Sequence, residues 1–260
     1  MEAEIILEVK HLQKVFSDSY EVRALDDVSA FLRAGEILGV VGESGSGKST
    51  LARAVTRLIE VDAGEIWLCG QELGRLRGRA LRRCYEQMQM VFQNATASFD
   101  PRMTVGKSIG ELLENFFDGD RQARETEVRR LLRMVGLKEE YAERLPGQIS
   151  GGECQRAAIA RAIAVKPRLL ICDEVTSALD VSVQAQVVEL IQRLAGDMNM
   201  AVLFISHDLA LVSSLCDRVM VMYRGRVVET GEAHSVITCP QDEYTKRLKA
   251  SVFSVEVSGE

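Results

Sequence analysis

The 260-residue sequence has few aromatic residues, no long apolar run and no excess of basic residues. Its apolar runs, such as residues 37–41 and 202–205, are much shorter than the stretch of about 20 residues that a transmembrane helix needs. The N-terminus is acidic and lacks the basic region and apolar core of a signal peptide. If this protein works at a membrane, we therefore expect another chain to supply the lipid-embedded part.

The charge balance argues against a protein that acts mainly on nucleic acid. The chain has 32 basic and 38 acidic residues, whereas such proteins usually carry a strong basic excess. A basic cluster lies within residues 75–83, but only Tyr85 is nearby to supply the aromatic stacking that a nucleic-acid patch would need. We predict that this cluster is a solvated helix face.

The six cysteines are scattered and never form a Cys-x-x-Cys pair. Metal-cluster and redox motifs therefore lack their spacing, and we expect a reduced cytosolic chain with mostly buried thiols. His11 and His234 have no motif around them and are predicted to be surface or packing residues.

Short apolar runs alternate with longer helix-like stretches, which predicts a mainly parallel sheet covered by helices. Residues 1–250 are predicted to form one domain with a helical subdomain at about 93–166, and residues 251–260 a frayed tail. Predicted strands are 5–11, 22–32, 36–41, 65–69, 88–92, 168–172, 201–205, 218–223 and 226–229, and predicted helices include 48–59, 181–195, 209–215 and 241–250.

A glycine-rich loop follows the apolar strand 36–41 and leads into the helix at 48–59. It fits the phosphate-loop pattern in full, and its glycines let backbone N–H groups turn toward phosphate oxygens at a helix N-terminus. Lys48 is expected to reach the β- and γ-phosphates, and the Ser49 hydroxyl to bind Mg²⁺. This motif alone leaves kinases, GTPases and motors open. The loop residues are Gly42, Glu43, Ser44, Gly45, Ser46, Gly47, Lys48, Ser49 and Thr50.

Two adjacent carboxylates, Asp173 and Glu174, end the apolar strand at 168–172. Because the chain turns at a strand end, both side chains can face one ligand. Asp173 suits Mg²⁺, which keeps part of its hydration shell. Glu174 is then placed to polarise an attacking water.

A third sequence element narrows the choice among the phosphate-loop proteins left open above. Residues 149–153, followed by Gln155 and Arg156, resemble the signature motif of ABC ATPases, and further family marks occur at Gln93, residues 177–180 and His207. The resemblance covers about residues 5–250. It implies an α/β fold: a P-loop NTPase core of the ABC ATPase type, with an antiparallel β-sheet at the start of the chain and an inserted helical subdomain.

The resemblance also implies roles for single residues. Gln93 would couple the Mg²⁺ and water site to a membrane partner, and His207 would contact the γ-phosphate. Asp180 would lie at a dimer interface. The γ-phosphate of ATP held by the opposite subunit would be bound by Ser150, Gly151 and Gly152. Glu153 stands where the family more often has Gln, and a carboxylate accepts hydrogen bonds without donating any.

The adenine base is expected to stack on an aromatic residue near the first strands. Phe16 best matches the family position, and Tyr20 is the alternative. A plain packing or surface role is as plausible for either residue, since aromatic side chains bury readily for other reasons.

The expected function is ATP hydrolysis that drives transport through separate multi-span permease subunits. The ATPase would pair head to tail with a second, different ATPase subunit, and would sit peripherally at the cytoplasmic face of the inner membrane without binding nucleic acid. The peptide and nickel importers are the most similar branch, although Phe99 and Asp100 depart from their usual Leu-Asn. That similarity rests on residues 92–94, 98–105 and 184–190 and on Pro240, Tyr244 and Thr245.

Three alternatives remain beside this prediction. One is an importer subunit for another solute class. Another is a soluble ABC-type ATPase that acts on DNA or ribosomes, but such proteins usually have a long coiled-coil insertion or two ATPase units. The third is a small-molecule kinase, which would have no use for a second phosphate-facing glycine helix.

Overall fold

The computed structural model describes residues 3–17, 21–117 and 119–253. Its strands, in chain order, are β1 (Ile5–Ser17), β2 (Glu21–Arg33), β3 (Ile37–Val41), β4 (Ala63–Leu68), β5 (Gln71–Glu72), β6 (Met88–Val91), β7 (Leu169–Asp173), β8 (Ala201–Ile205), β9 (Arg218–Tyr223) and β10 (Arg226–Glu232). Its α-helices are α1 (Lys48–Val55), α2 (Gly78–Gln87), α3 (Val105–Phe116), α4 (Arg121–Met134), α5 (Gly151–Ile163), α6 (Val181–Met198), α7 (Leu209–Leu215), α8 (Ala233–Thr238) and α9 (Glu243–Phe253).

The strands form two sheets. A four-stranded sheet has the order β2-β1-β4-β5, and its neighbours are all antiparallel, as predicted for the start of the chain. A six-stranded sheet has the order β10-β9-β3-β8-β7-β6 and is parallel except for its antiparallel edge strand β10. The carboxyl ends of β3, β6, β7 and β8 therefore meet at one edge, where ligands of open α/β sheets bind.

The six-stranded sheet lies between two apolar cores. Along β8, Val202 and Phe204 join the core shared with the helices, whereas Leu203 and Ile205 join the core shared with the four-stranded sheet. This split follows from the two-residue period of a strand. Every residue of β3, β7 and β8 is buried, as expected when both faces of a parallel sheet are covered.

The predicted helical insertion lies between β6 and β7 and contains α3, α4 and α5. Ile109 of α3, Leu132 of α4 and Ile159 of α5 are fully or almost fully buried and belong to the same core as the helical face of the six-stranded sheet. Apolar burial of this kind fixes the helices against the sheet. No helix in the described ranges combines the length and the apolar character needed to cross a membrane.

Several element boundaries differ from the prediction. Strand β1 continues past His11 because a bulge there, with His11 and Asp27 at φ 52° and 62°, interrupts the alternation without ending the pairing. Helix α1 ends at Val55, four residues before the predicted end, where the Thr56 hydroxyl donates to the Ala52 carbonyl. Helix α9 extends to Phe253, beyond the predicted tail boundary at 250. Residues 254–260 lie outside the described part.

Candidate active site

The glycine-rich loop connects β3 to α1, as predicted, and packs tightly against neighbouring strands. A Cβ atom on Gly42 would lie 2.2 Å from the carbonyl oxygen of Met222, and one on Gly47 would lie 2.3 Å from that of Ala24. Both glycines also have positive φ, of 150° and 107°. The loop therefore requires glycine at these two positions for both space and backbone conformation.

The N-terminus of α1 fits an anion. Gly47 caps this helix without any side-chain hydrogen bond, whereas Thr104, Asp120 and Ser150 cap α3, α4 and α5 with their side chains. The first N–H groups of α1 are thus not taken by a capping side chain. A helix N-terminus with free N–H groups attracts phosphate through these donors and through the helix dipole.

Lys48 adds a fixed positive charge to the loop. Its side chain is buried, and its Nζ donates to the carbonyl oxygens of Gly42 at 2.7 Å and Glu43 at 2.9 Å. Burial lowers the pKa of the Lys48 ammonium, while the charges of Glu174 and Asp173 act in the opposite direction. The loop thus holds a cation that these two carboxylates and that of Glu43 partly balance.

Ser49 and Asp173 come together as predicted. The Ser49 hydroxyl donates to Asp173 Oδ1 at 2.9 Å, and Asp173 is buried at the carboxyl end of β7. Burial raises the pKa of the Asp173 carboxyl, and the hydrogen bond from Ser49 partly offsets this effect. Hydroxyl and carboxylate oxygens suit Mg²⁺, so this pair fits the predicted metal.

Glu174 is placed beside Asp173 by an unusual backbone conformation. It has φ 50°, and its N–H donates to the carbonyl oxygen of Ile205 at 3.0 Å. A left-handed conformation is uncommon for a non-glycine residue and often marks a functional site. The chain therefore turns at the end of β7, as expected from the sequence.

Glu174 lies within a polar cluster. Gln93 Nε2 donates to Glu174 Oε2 at 2.9 Å and to the Ser177 hydroxyl at 3.1 Å. His207 Nδ1 is 4.0 Å from Glu174 Oε2. The structure therefore brings Gln93, Glu174 and His207 together at the carboxyl ends of β6, β7 and β8. Ser177 was absent from the predicted site, although it opens the family mark at residues 177–180.

The signature segment lies apart from this cluster. Among the described residues, no hydrogen bond or ion pair joins residues 150–152 to the loop at 42–50 or to Asp173 and Glu174. The Ser150 hydroxyl caps α5 by accepting the Glu153 N–H, and Glu153 Oε2 accepts the Ser150 N–H at 2.8 Å. Within one chain, the described residues of this helix start thus make no polar contact with the phosphate loop.

Glu153 has a second partner that the sequence did not indicate. The Tyr141 hydroxyl donates to its other carboxylate oxygen. This hydrogen bond, followed by the one from the Ser150 N–H, lowers the pKa of Glu153. Both oxygens are therefore engaged within the chain.

The starts of α5 and α6 touch. A Cβ atom on Gly152 would lie 2.5 Å from Val183 Cγ1, so this glycine is needed for close helix packing. Asp180 caps α6 by accepting the Val183 N–H at 3.0 Å and the Ser182 hydroxyl at 2.7 Å. The Ser182 hydrogen bond is the main reason why the pKa of Asp180 is lowered.

Arg161 of α5 ties the helical insertion to the segment after Gln93. Its guanidinium donates to the Ser98 carbonyl and hydroxyl oxygens, both at 2.8 Å, and lies 4.3 Å from the ring centroid of Phe99. Burial lowers the pKa of Arg161. Helix α5, which starts at the signature segment, is thus bonded to the segment that follows β6 and contains Gln93.

Phe16 lies near the end of β1 and is 40% exposed. Asp62 fixes this segment, since its carboxylate accepts the Val15 N–H at 2.6 Å and the Lys14 ammonium at 2.9 Å. An exposed ring on a fixed strand is compatible with base stacking, which stays a prediction for Phe16. Tyr20, the alternative, lies outside the described residues.

Comparisons with known proteins identify the family of this chain. The family model for ABC transporters matches residues 25–177. The probable peptide ABC transporter ATP-binding protein y4tS of Sinorhizobium fredii is 48% identical over 88% of this chain, which spans 65% of that protein. The oligopeptide transport ATP-binding protein OppF of Haemophilus influenzae is 42% identical over 96% of this chain and 78% of its own length. The glutathione import ATP-binding protein GsiA of Pectobacterium atrosepticum is 46% identical, and this chain spans 37% of it.

A solved structure has the same fold. The dimeric post-hydrolysis state of the ATP-binding cassette MJ0796, bound to ADP and Pi, superposes with a TM-score of 0.80 at 25% identity. The match covers 88% of this chain and 99% of that one. Since the family model matches more than half of the chain, and relatives of 42% and 48% identity cover most of it, the chain belongs to the ABC transporter family as one of its ATP-binding proteins.

Proposed function

We propose that this chain binds and hydrolyses ATP to drive the import of short peptides through separate multi-span permease subunits. The observation that carries the ATPase part is the cluster at the strand ends, where Gln93 holds the Glu174 carboxylate beside the pair of Ser49 and Asp173. The names of the three relatives, which concern peptides, oligopeptides and glutathione, support the peptide part. They give no support to nickel.

The residues of this cluster have separable tasks in hydrolysis. The Glu174 carboxylate accepts a proton from the attacking water, and the Gln93 amide keeps that carboxylate oriented. Lys48 would balance phosphate charge, and His207, whose Nδ1 lies 4.0 Å from Glu174 Oε2, would contact the γ-phosphate. Mg²⁺, when bound by Ser49, Asp173 and Gln93, would supply further positive charge against the phosphate oxygens.

A second ATPase subunit would complete the site. Ser150, Gly151, Gly152 and Asp180 lie at adjacent helix starts and do not serve their own phosphate loop, which supports their use by an opposite subunit in a head-to-tail dimer. MJ0796 is described as dimeric in its ADP- and Pi-bound structure, which also supports this arrangement. The partner would be a different ATPase chain of the same importer.

The helical insertion would transmit the state of the site to the permease. Gln93 touches Glu174, and five residues later Ser98 is bonded to Arg161 on the signature helix. These two contacts support a route by which a change at the carboxylate would reach the helical insertion. The chain would act as a peripheral subunit at the cytoplasmic face of the inner membrane, without contact to nucleic acid.

Uptake by a strain that lacks the gene tests this proposal. Labelled di- to hexapeptides and nickel are supplied side by side, and the gene is restored as wild type, Glu174→Gln or Glu189→Gln. Glu189 is exposed on α6, so the last variant is the same isosteric change away from the site. We expect peptide uptake to be lost on deletion and restored by wild type and Glu189→Gln but not by Glu174→Gln.

The other outcomes discriminate between alternatives. A defect in nickel, sugar, amino-acid or lipid uptake with normal peptide uptake would assign another solute class. Normal uptake of every solute, together with a defect in DNA repair or translation, would favour the soluble ATPase that acts on DNA or ribosomes.

A further inference from the structure

The first peptide group of the phosphate loop is held at both ends. Its carbonyl oxygen, from Gly42, accepts a hydrogen bond from Lys48 Nζ at 2.7 Å. Its N–H, from Glu43, donates to the hydroxyl oxygen of Tyr244 at 2.9 Å. Hydrogen bonds at the two ends of one peptide group polarise each other, so the tyrosine strengthens the acceptor that holds the lysine.

Tyr244 is fixed firmly enough to position this peptide. The residue is 5% exposed, and its ring stacks on that of Tyr223 with centroids 4.2 Å apart and planes inclined by 29°. Tyr223 ends β9, the neighbour of the strand that leads into the loop. The stack therefore holds the Tyr244 hydroxyl at the same end of the sheet as the loop.

The start of α9 is also anchored to the rest of the fold. The Glu229 carboxylate of β10 accepts the N–H groups of Gln241 and Asp242 at 2.8 and 3.1 Å. Asp242 in turn accepts the Tyr244 N–H at 2.8 Å. The tyrosine is thus placed by backbone contacts as well as by its ring.

We propose that Tyr244 is a positioning residue for ATP binding, which acts through the Gly42–Glu43 peptide to hold Lys48 in its place in the loop. The last described helix then forms part of the support of the phosphate site, although it lies 201 residues from the loop in sequence. This inference rests on the proposed role of the loop in binding ATP. It predicts that full affinity for ATP requires the Tyr244 hydroxyl as well as the Tyr244 ring.

Tyr244→Phe removes the hydroxyl and keeps the stacked ring. Tyr223→Phe is the matched control, because it removes the hydroxyl of the other ring in the stack, which has no hydrogen bond to any described residue. On the purified full-length proteins, ATP affinity is measured by calorimetry without Mg²⁺. The KM and kcat of ATP hydrolysis and the thermal unfolding midpoint without nucleotide are measured as well.

We expect Tyr244→Phe to weaken ATP affinity and raise KM by about 3–10-fold, the usual net effect of one hydrogen bond. The value of kcat should stay close to wild type, since the hydroxyl contacts neither Glu174 nor its neighbours. The unfolding midpoint should fall by no more than about 2–4 °C, because one intramolecular hydrogen bond is lost. Tyr223→Phe should bind ATP normally.

Two results would overturn the proposal. Unchanged ATP affinity in Tyr244→Phe, with Lys48→Ala clearly weakened, would show that the loop binds ATP without help from the hydroxyl. An equal loss in Tyr223→Phe and Tyr244→Phe would assign the effect to packing of the ring pair. If the wild-type protein bound no ATP at all, the proposed function itself would fail, which is a distinguishable result.

Discussion

Replacing Glu153 tests whether its hydrogen bonds or its negative charge stabilise the start of α5. The side chain accepts the Ser150 N–H at 2.8 Å and the Tyr141 hydroxyl with its other oxygen. A glutamine keeps one oxygen for the Ser150 N–H, and its NH₂ group can donate to the Tyr141 hydroxyl oxygen in the reverse direction. Glu153→Gln should therefore keep both contacts, whereas Glu153→Ala loses both.

The size of the effect follows from these contacts. Losing a capping interaction at a helix N-terminus costs about 1 kcal/mol. The Tyr141 hydrogen bond adds roughly 0.5–1 kcal/mol, a low value because both side chains are partly exposed and screened by solvent. We expect Glu153→Ala to lower the free energy of unfolding by about 1–2 kcal/mol and Glu153→Gln by less than about 0.5 kcal/mol.

Acid should affect the wild type and the Gln variant differently. The Tyr141 hydroxyl and then the Ser150 N–H hold the pKa of Glu153 below its ordinary value of 4.5. Because the folded-state pKa lies below the unfolded one, this stabilisation is complete above pH 4.5 and is lost as the pH falls through the folded-state pKa. The side chain of the Glu153→Gln variant does not titrate in this range. The difference in unfolding free energy between wild type and this variant should therefore disappear once Glu153 is protonated in acid.

Thermal unfolding of wild type, Glu153→Gln and Glu153→Ala at pH 7 and over a series of pH values below 4.5 measures these differences. For a chain of this size, 1 kcal/mol corresponds to about 2–4 °C in Tm. Glu189→Gln, at an exposed position of α6, controls for the loss of one negative charge. If Gln destabilised as much as Ala at pH 7, the negative charge would matter more than the hydrogen bonds, and the argument from the helix cap would be wrong.

The remaining predictions concern the active site. Glu174→Gln should reduce phosphate release by about 10²–10⁴-fold with ATP binding intact, and near-normal turnover would remove Glu174 from the role of base. Lys48→Ala should weaken ATP affinity in the same calorimetric assay, since it removes the buried charge of the loop, and unchanged affinity would contradict that role. Ser49→Ala should raise the Mg²⁺ concentration needed for half-maximal hydrolysis; an unaltered Mg²⁺ dependence would exclude its hydroxyl as a ligand. With its partner ATPase present, the Glu174→Gln protein should dimerise in light scattering only when Mg-free ATP is added, and monomers in both conditions would count against a shared site.

Much of the fold followed from local patterns in the sequence. The phosphate loop, the apolar strands on either side of the insertion and the helix at 209–215 are set by residues close in sequence, and all appear where they were predicted. The two carboxylates also follow from a local rule, because the end of a buried strand is where the chain turns. The left-handed conformation of Glu174 is how that turn is made here.

Other features depend on partners far apart in the chain. The bulge at His11 is defined by pairing with β2, so the alternation of one strand alone suggested an end. Helix α8 has six residues and was not predicted, because so short a segment shows little periodicity. The contacts of Tyr244 with Glu43 and of Arg161 with Ser98 join distant segments, and no spacing in the sequence indicates them.

The contact between Gly152 and Val183 has a mechanical consequence. A Cβ placed on Gly152 would lie 2.5 Å from Val183 Cγ1, so the helix starts that carry Ser150 and Asp180 leave no room for a side chain at residue 152. A tilt of α5 toward α6 would meet hard repulsion, whereas a tilt away from it would not. Val183 would thus act as a stop for α5, limiting how far the signature segment can swing in one direction.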